Sequence, residues 1–103
     1  MTDPQPVLAA LADPTRREIF ERLTVLGPAS ASQLSSDLPV SRQAIAKHLN
    51  MLDSVGLAQK ARQGREVVYS ARPARLAEVA DWLATVGAEW DERLRRLREA
   101  FED

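Results

Sequence analysis

The chain has 103 residues, no cysteine and a formal net charge of −1, which suits one domain over residues 1–103 with a modest hydrophobic core. The lack of cysteine excludes a disulfide framework, a thiolate metal site and a cysteine nucleophile. Because no apolar run has the length of a membrane span and no basic and apolar leader opens the sequence, we expect a cytoplasmic protein without membrane association.

The N-terminal part of the chain is predicted to form a flexible tail and two helices. Residues 1–5 offer nothing to bury, so we expect a tail there, followed by one or two helical turns in the apolar segment VLAALA. Asp13 suits the N-cap of the next helix and Pro14 its first position. Gly27, followed by proline, ends this helix. Its apolar residues recur at helical spacing: Ile19, Phe20, Leu23 and Leu26.

Residues 30–55 have the spacing of a helix-turn-helix. Ser30 begins a helix of about eight residues, and Pro39 cannot continue it because proline lacks an N–H and its ring clashes with the preceding turn. Ser41 then caps a second helix after a turn of roughly three residues. Gly56 can take the left-handed conformation that ends this second helix.

The rest of the chain is predicted to form a β-hairpin and one long helix. β-Branched and aromatic residues favour two strands within residues 57–70, with Gln63 and Gly64 as a two-residue turn. The last helix covers residues 73–101, where apolar residues at spacings of three and four form one stripe. The predicted fold is therefore mainly α with a small β-hairpin, a winged helix-turn-helix with a long C-terminal dimerisation helix.

Basic side chains are concentrated in the middle of the sequence. Residues 41–75 hold seven basic and two acidic side chains, a net charge of +5. Residues 1–40 have a net charge of −2, and residues 76–103 have a net charge of −4. A basic segment in an acidic protein indicates a local anionic partner.

The second helix of the helix-turn-helix separates polar from apolar residues. On a wheel at about 100° per residue, Arg42, Gln43 and Lys47 lie opposite Ile45 and Leu52. Arginine can donate two hydrogen bonds to guanine, and glutamine can pair with adenine. We therefore predict base contacts from Arg42 and Gln43, with Lys47 on a base or a phosphate. An ordinary solvated helix face is the alternative.

Two arginines flank the predicted hairpin turn and strengthen the nucleic-acid hypothesis. Side chains at such a tip can lie against phosphates or enter a narrow minor groove. The alternative is a hairpin edge protected from aggregation by charge. Six residues are predicted to contact the DNA backbone: Ser30, Ser32, Ser41, Asn50, Arg62 and Arg65.

The segments LADPTRREIFERL and SRQAIAKHLNMLDSVGLAQKARQGREVVYS resemble the ArsR-type winged-helix transcriptional regulators of bacteria. The resemblance runs from about Leu8 into the last helix, and it implies a homodimeric repressor that binds double-stranded DNA at an inverted-repeat operator.

The best-known members sense metals through a cysteine pair or through Asp and His ligands on the last helix. This chain has neither, so we expect no metal and no cofactor, and any effector is open. His48, the only histidine, is assigned to the packed side of its helix.

The apolar stripe of the last helix is larger than a monomer of this size needs to cover. With the short first helix, it is expected to form the subunit interface that the resemblance implies. The alternative is that the stripe packs on its own domain. The predicted interface residues are Leu8, Leu11, Val79, Leu83, Val86, Trp90, Leu94 and Leu97.

Two functions compete with DNA binding. An enzyme is disfavoured because the sequence has no nucleophile motif and no glycine-rich phosphate loop. A winged-helix module that binds protein instead of DNA is the stronger alternative. Salt dependence separates the two, since DNA binding through several phosphates weakens steeply as salt rises.

Overall fold

The computed structural model describes residues 3–101, which form five helices and a small antiparallel sheet. This confirms the predicted mainly-α fold with a hairpin and a long last helix. In chain order the elements are α1 (Gln5–Ala12), α2 (Pro14–Leu26), β1 (Ala29–Ser30), α3 (Ala31–Ser35), α4 (Arg42–Ser54), β2 (Ala58–Gln63), β3 (Glu66–Ala71) and α5 (Ala74–Phe101).

The first helix begins earlier than the sequence indicated. The prediction of a tail over residues 1–5 is wrong at its end, because α1 starts at Gln5; residues 1 and 2 lie outside the described part of the chain. The Asp3 carboxylate accepts a hydrogen bond of 3.0 Å from the Gln5 N–H, which satisfies one free donor at the helix start. Val7 is fully buried, so this short helix is held by packing against the core.

The start and end signals of α2 act as predicted. The Asp13 carboxylate accepts a hydrogen bond of 3.0 Å from the Arg16 N–H, and Pro14 occupies the first turn. Gly27 ends the helix with a φ of 90°, a conformation that residues with a β-carbon rarely adopt. Through Ile19 and Leu23, α2 contributes two of the most deeply buried side chains of the core.

The first helix of the helix-turn-helix is shorter than predicted. α3 covers Ala31–Ser35, and residues 36–41 connect it to α4. The Ser35 and Ser36 hydroxyls donate to backbone carbonyls of Ser32 and Gln33, at 2.9 and 2.7 Å. The Asp37 N–H donates to the Leu34 carbonyl at 3.2 Å, so the chain after Ser35 forms a tight turn before Pro39 is reached.

Both ends of α4 are fixed by local hydrogen bonds. At the start, the Ser41 hydroxyl accepts a bond of 3.1 Å from the Ala44 N–H. At the end, the Gly56 N–H donates to the Asp53 carbonyl at 3.1 Å and the Leu57 N–H donates to the Leu52 carbonyl at 2.9 Å. With Gly56 at a φ of 82°, these two bonds form a Schellman motif, which stops the helix where the sequence predicted.

The sheet has a third strand that the sequence did not reveal. Its strand order is β1-β3-β2, all antiparallel, and Ser30 of β1 pairs with Val68 of β3. Gln63 pairs with Glu66, so Gly64 and Arg65 form the hairpin turn in place of the predicted Gln63 and Gly64. Gly64 has a φ of 63°, whereas that of Arg65 is not positive, and this combination matches a type II′ turn.

The core lies between α1, α2, α3, α4, β3 and the first turns of α5. Ile45, Leu49 and Leu52 line the inner face of α4 and are fully buried, which holds this helix firmly on the domain. Beyond Val79 the long α5 extends away from the core, and the described chain measures 69 Å along its longest axis. Of the helices within residues 3–101, none is both long and apolar enough to cross a membrane.

Candidate nucleic-acid interface

The outer face of α4 presents the three side chains predicted to contact bases. Arg42, Gln43 and Lys47 are all exposed, and they lie on the helix side opposite the buried leucines. Ala46 is half-buried among them, and its small side chain leaves a shallow groove beside Arg42 and Gln43. The exposure agrees with the predicted arrangement, while base contact itself stays a prediction.

A second groove separates α4 from the wing, which we define as β2, β3 and their turn. Arg42 and Ala46 line it from α4, and Arg65 lines it from the hairpin. The sequence assigned Arg42 to bases and Arg65 to the backbone, whereas the fold places both at one groove. The start of α3, Ser30 to Ser32, closes one side, and Glu66 is the acidic residue in the lining.

The cations of this surface form no ion pair within residues 3–101, which is also true of Arg17 on α2. Ion pairs within the described chain engage Arg22 on α2 and Arg75, Arg95 and Arg96 on α5. Over residues 3–101 none of these pairs involves the basic residues of the candidate interface. Unneutralised charge on an exposed face attracts an anionic partner. The four cations concerned are Arg42, Lys47, Arg62 and Arg65.

Asn50, predicted to contact the DNA backbone, also connects α4 to the wing. Its Oδ1 accepts a hydrogen bond of 2.9 Å from the Tyr69 hydroxyl and one of 3.4 Å from the Lys60 ammonium. Tyr69 and Lys60 face each other across β3 and β2. Tyr69 is only 5% exposed, and burial, with the Asp53 carboxylate adding to it, raises the pKa of the Tyr69 hydroxyl above its usual 10.0. The hydroxyl therefore stays a donor at neutral pH.

The three predicted serine contacts have different environments. Ser32 and Ser41 are exposed, and Ser41 also caps α4. Ser30 is only 4% exposed, and its hydroxyl accepts the Gln33 N–H while the Gln33 side chain accepts the Ser30 N–H. This capping box gives Ser30 a structural role. Ser30 also lines the groove beside Arg42, and its contact with the DNA backbone stays a prediction.

The apolar stripe on α5 is exposed along most of its length. Trp90 is 54% exposed and carries the Arg93 guanidinium 5.2 Å from its ring centroid. Leu8 on α1 is partly exposed, and Val86 is half-buried. The stripe residues with more than half of their surface exposed are Leu83, Trp90, Leu94, Leu97 and Phe101.

Two residues of the predicted interface pack against the core of their own protomer. Val79 is 6% exposed within the core, and Leu11 lies half-buried against the same core. Helical spacing put them with the exposed residues, since a single stripe can face the domain near one end and solvent near the other. Their contact with a second subunit stays a prediction.

The lone histidine, His48, lies on α4, and its charge acts on Asp13 at the N-cap of α2. His48 is half-buried, as expected for the packed side of α4. The pKa of the Asp13 carboxyl is lowered, chiefly by the hydrogen bond from the Arg16 N–H, and the charges of His48 and Arg16 add to this effect.

No group of three or more His, Cys, Asp or Glu side chains within residues 3–101 is placed to hold a metal ion.

Comparison with known sequences finds transcriptional regulators. The profile of a family described as a helix-turn-helix domain matches residues 11–59. The chain is 43% identical over 74 residues to the HTH-type transcriptional regulator Rv2034 of Mycobacterium tuberculosis, covering 72% of this chain and 68% of that protein. It is 30% identical over 77 residues to the transcriptional repressor SdpR of Bacillus subtilis, covering 75% and 84% respectively.

Comparison with solved structures finds the same class of protein. An ArsR-like transcriptional regulator from Rhodococcus sp. RHA1 is similar with a TM-score of 0.85 and 47% identity, over 96% of this chain and 92% of that one. The homodimeric winged helix-turn-helix DNA-binding domain of Mb0332 from Mycobacterium bovis is similar with a TM-score of 0.62 and 26% identity, over 87% and 80% respectively.

Proposed function

The chain belongs to the ArsR-type family of winged-helix transcriptional regulators, and from this premise we propose that it is a homodimeric repressor that binds an inverted-repeat operator. Family membership favours DNA binding over the protein-binding module considered above. It also supports a function without catalysis. The proposed place of action is the cytoplasm, where a bacterial regulator meets the chromosome.

One observation carries the proposal: α4 presents exposed, unneutralised Arg42 and Lys47 while its opposite face is fully buried. A rigid helix with long polar side chains on its outer face fits the major groove of B-DNA, which is wide enough to admit an α-helix. Gln43 lies in the first turn with Arg42, and the N-terminal residues of a recognition helix are the ones that contact base edges.

The wing contributes the sequence-independent part of the affinity. Arg62 and Arg65 are exposed at the hairpin end and would lie on phosphates or in the adjacent minor groove. Ser32 and Ser41 would donate their hydroxyl hydrogens to phosphate oxygens, which fixes the register of α4 without reading sequence. Ala46 leaves room for the α4 backbone to approach the bases.

Dimerisation follows from the exposed stripe on α5. A contiguous stripe of exposed apolar side chains is costly in water and marks an interaction site. The homodimeric relative from Mycobacterium bovis supports a second copy of this chain as the partner. The interface would use Leu83, Trp90, Leu94 and Leu97, with Val86 and Leu8 at its margin. A two-fold dimer presents two α4 helices to half-sites about 34 Å apart, so an inverted repeat matches its symmetry.

Salt dependence of binding tests the proposal. If Arg62 and Arg65 of both subunits neutralise four phosphates, the logarithm of the binding constant falls with the logarithm of salt with a slope of about −3.6 or steeper. Fluorescence anisotropy with a duplex from the host's own upstream region measures this slope. An Arg96→Ala variant, which removes a charge from α5, is the control and keeps the slope. Binding without salt dependence, or no binding, contradicts the proposal.

A further inference from the structure

The hydrogen bonds at Asn50 determine how its side-chain amide is oriented. A lysine ammonium can only donate, so the Asn50 atom that faces Lys60 is the oxygen. The same oxygen faces the Tyr69 hydroxyl, which must then be the donor. Lys60 and Tyr69, the two donors to the Asn50 oxygen, both belong to the wing. Among residues 3–101 the Asn50 NH2 group has no protein partner.

The position of Asn50 places this free NH2 group at the candidate interface. At about 100° per residue, Asn50 lies between Ala46 and Gln43 on the outer face of α4. The side chain is exposed, whereas Tyr69, which holds it, is buried. The exposed NH2 group of Asn50 is thus oriented by a hydrogen bond from buried Tyr69, at the surface that would face DNA.

We propose that Tyr69 is a positioning residue for DNA binding: its hydroxyl holds the Asn50 oxygen toward the wing, so that the Asn50 NH2 group donates to a phosphate oxygen of the DNA. This inference rests on the proposed function and names a residue of the same surface that sequence patterns did not reveal. Phosphate oxygens are acceptors only, so they require the NH2 end of the amide. Because the Asn50 side chain is already oriented in the free protein, binding does not incur the entropy cost of ordering it.

The hydrogen bond also links the two halves of the interface. Tyr69 lies on β3, which continues into the turn that carries Arg65. Asn50 lies on the helix that carries Arg42. The bond of 2.9 Å from Tyr69 to Asn50 is therefore one of the contacts that join the recognition helix to the wing, together with the bond from Lys60 to Asn50.

A double-mutant cycle tests the proposal, with a duplex selected by the wild-type protein from random DNA as the probe. Tyr69→Phe keeps the ring and removes the hydroxyl, and it is expected to raise Kd about three- to tenfold. In the Asn50→Ala background the same change is expected to raise Kd less than about twofold, because Tyr69 acts through Asn50. Thr24→Val, which removes a hydroxyl from α2, is the matched control and leaves Kd unchanged.

Two further readouts separate positioning from a merely structural effect. The urea midpoint of Tyr69→Phe is expected to stay close to wild type, and its salt slope to stay the same, because no charge is removed. Equal losses of affinity in the two backgrounds, with wild-type binding intact, overturn this inference alone. A changed preferred base in Tyr69→Phe overturns the assignment to phosphate. A wild-type protein that binds no DNA overturns the proposed function and this inference together.

Discussion

Replacing Trp90 with aspartate is expected to convert the protein to monomers with weak DNA binding. A tryptophan buries about 150–250 Å² when enclosed, and 54% of Trp90 is exposed in the protomer, so a partner can cover about 100 Å² of it. At about 25 cal/mol per Å², this is about 2.5 kcal/mol per subunit and about 5 kcal/mol per dimer. The dimer dissociation constant should then rise by a factor on the order of 1,000 or more.

Sedimentation equilibrium measures the dimer dissociation constant directly. Ala88→Asp is the matched control, because Ala88 is exposed on the side of α5 opposite Trp90 and the variant introduces the same charge. That control should remain dimeric at the concentrations where Trp90→Asp is monomeric. If Trp90→Asp sediments as a dimer like wild type, the exposed stripe is not the subunit interface, and the reasoning from its exposure is refuted.

Three further predictions concern DNA contacts and stability. Arg42→Ala should cost about 1–3 kcal/mol on the preferred site and relax its sequence in binding selections; an equal loss on all sequences would place Arg42 on phosphate. Arg65→Ala should weaken all sequences alike and reduce the salt slope by about 1.8 in a dimer, and an unchanged slope excludes wing contact. Because the folded pKa of Asp13 is lowered, its stabilisation is present above its ordinary pKa and is lost as pH falls through the folded value. Urea titrations should therefore show a smaller acid-induced loss for Asp13→Asn than for wild type, and parallel losses would contradict this.

Signals that act over a few residues were predictable from the sequence. The Asp13 and Ser41 caps, and the glycine end of α4 at Gly56, depend on hydrogen bonds between residues three to five apart. The predicted α3 is too long, because Pro39 sets its predicted end, whereas α3 ends at Ser35.

Contacts between distant parts of the chain could not be predicted from patterns. Strand β1 has two residues, too few for a periodic signal, and it exists because Ser30 meets Val68 across the sheet. Ser30 is only 4% exposed in this pairing, which the sequence pattern did not indicate. The sequence did not indicate the hydrogen bond from Tyr69 to Asn50, since this bond depends on how the wing packs against α4. The burial of Val79 in the core was not predicted, because a helical stripe does not indicate where the domain ends.

Selection of bound duplexes from a pool of random DNA tests the central claim most directly. We expect the selection to enrich an inverted repeat whose half-sites are centred about one helical turn apart, because two-fold symmetry relates the two α4 helices of the dimer. The same selection with Trp90→Asp should lose the repeat. Recovery of sequences without a common motif, or of a single half-site with wild-type protein at dimer-forming concentration, would contradict the account.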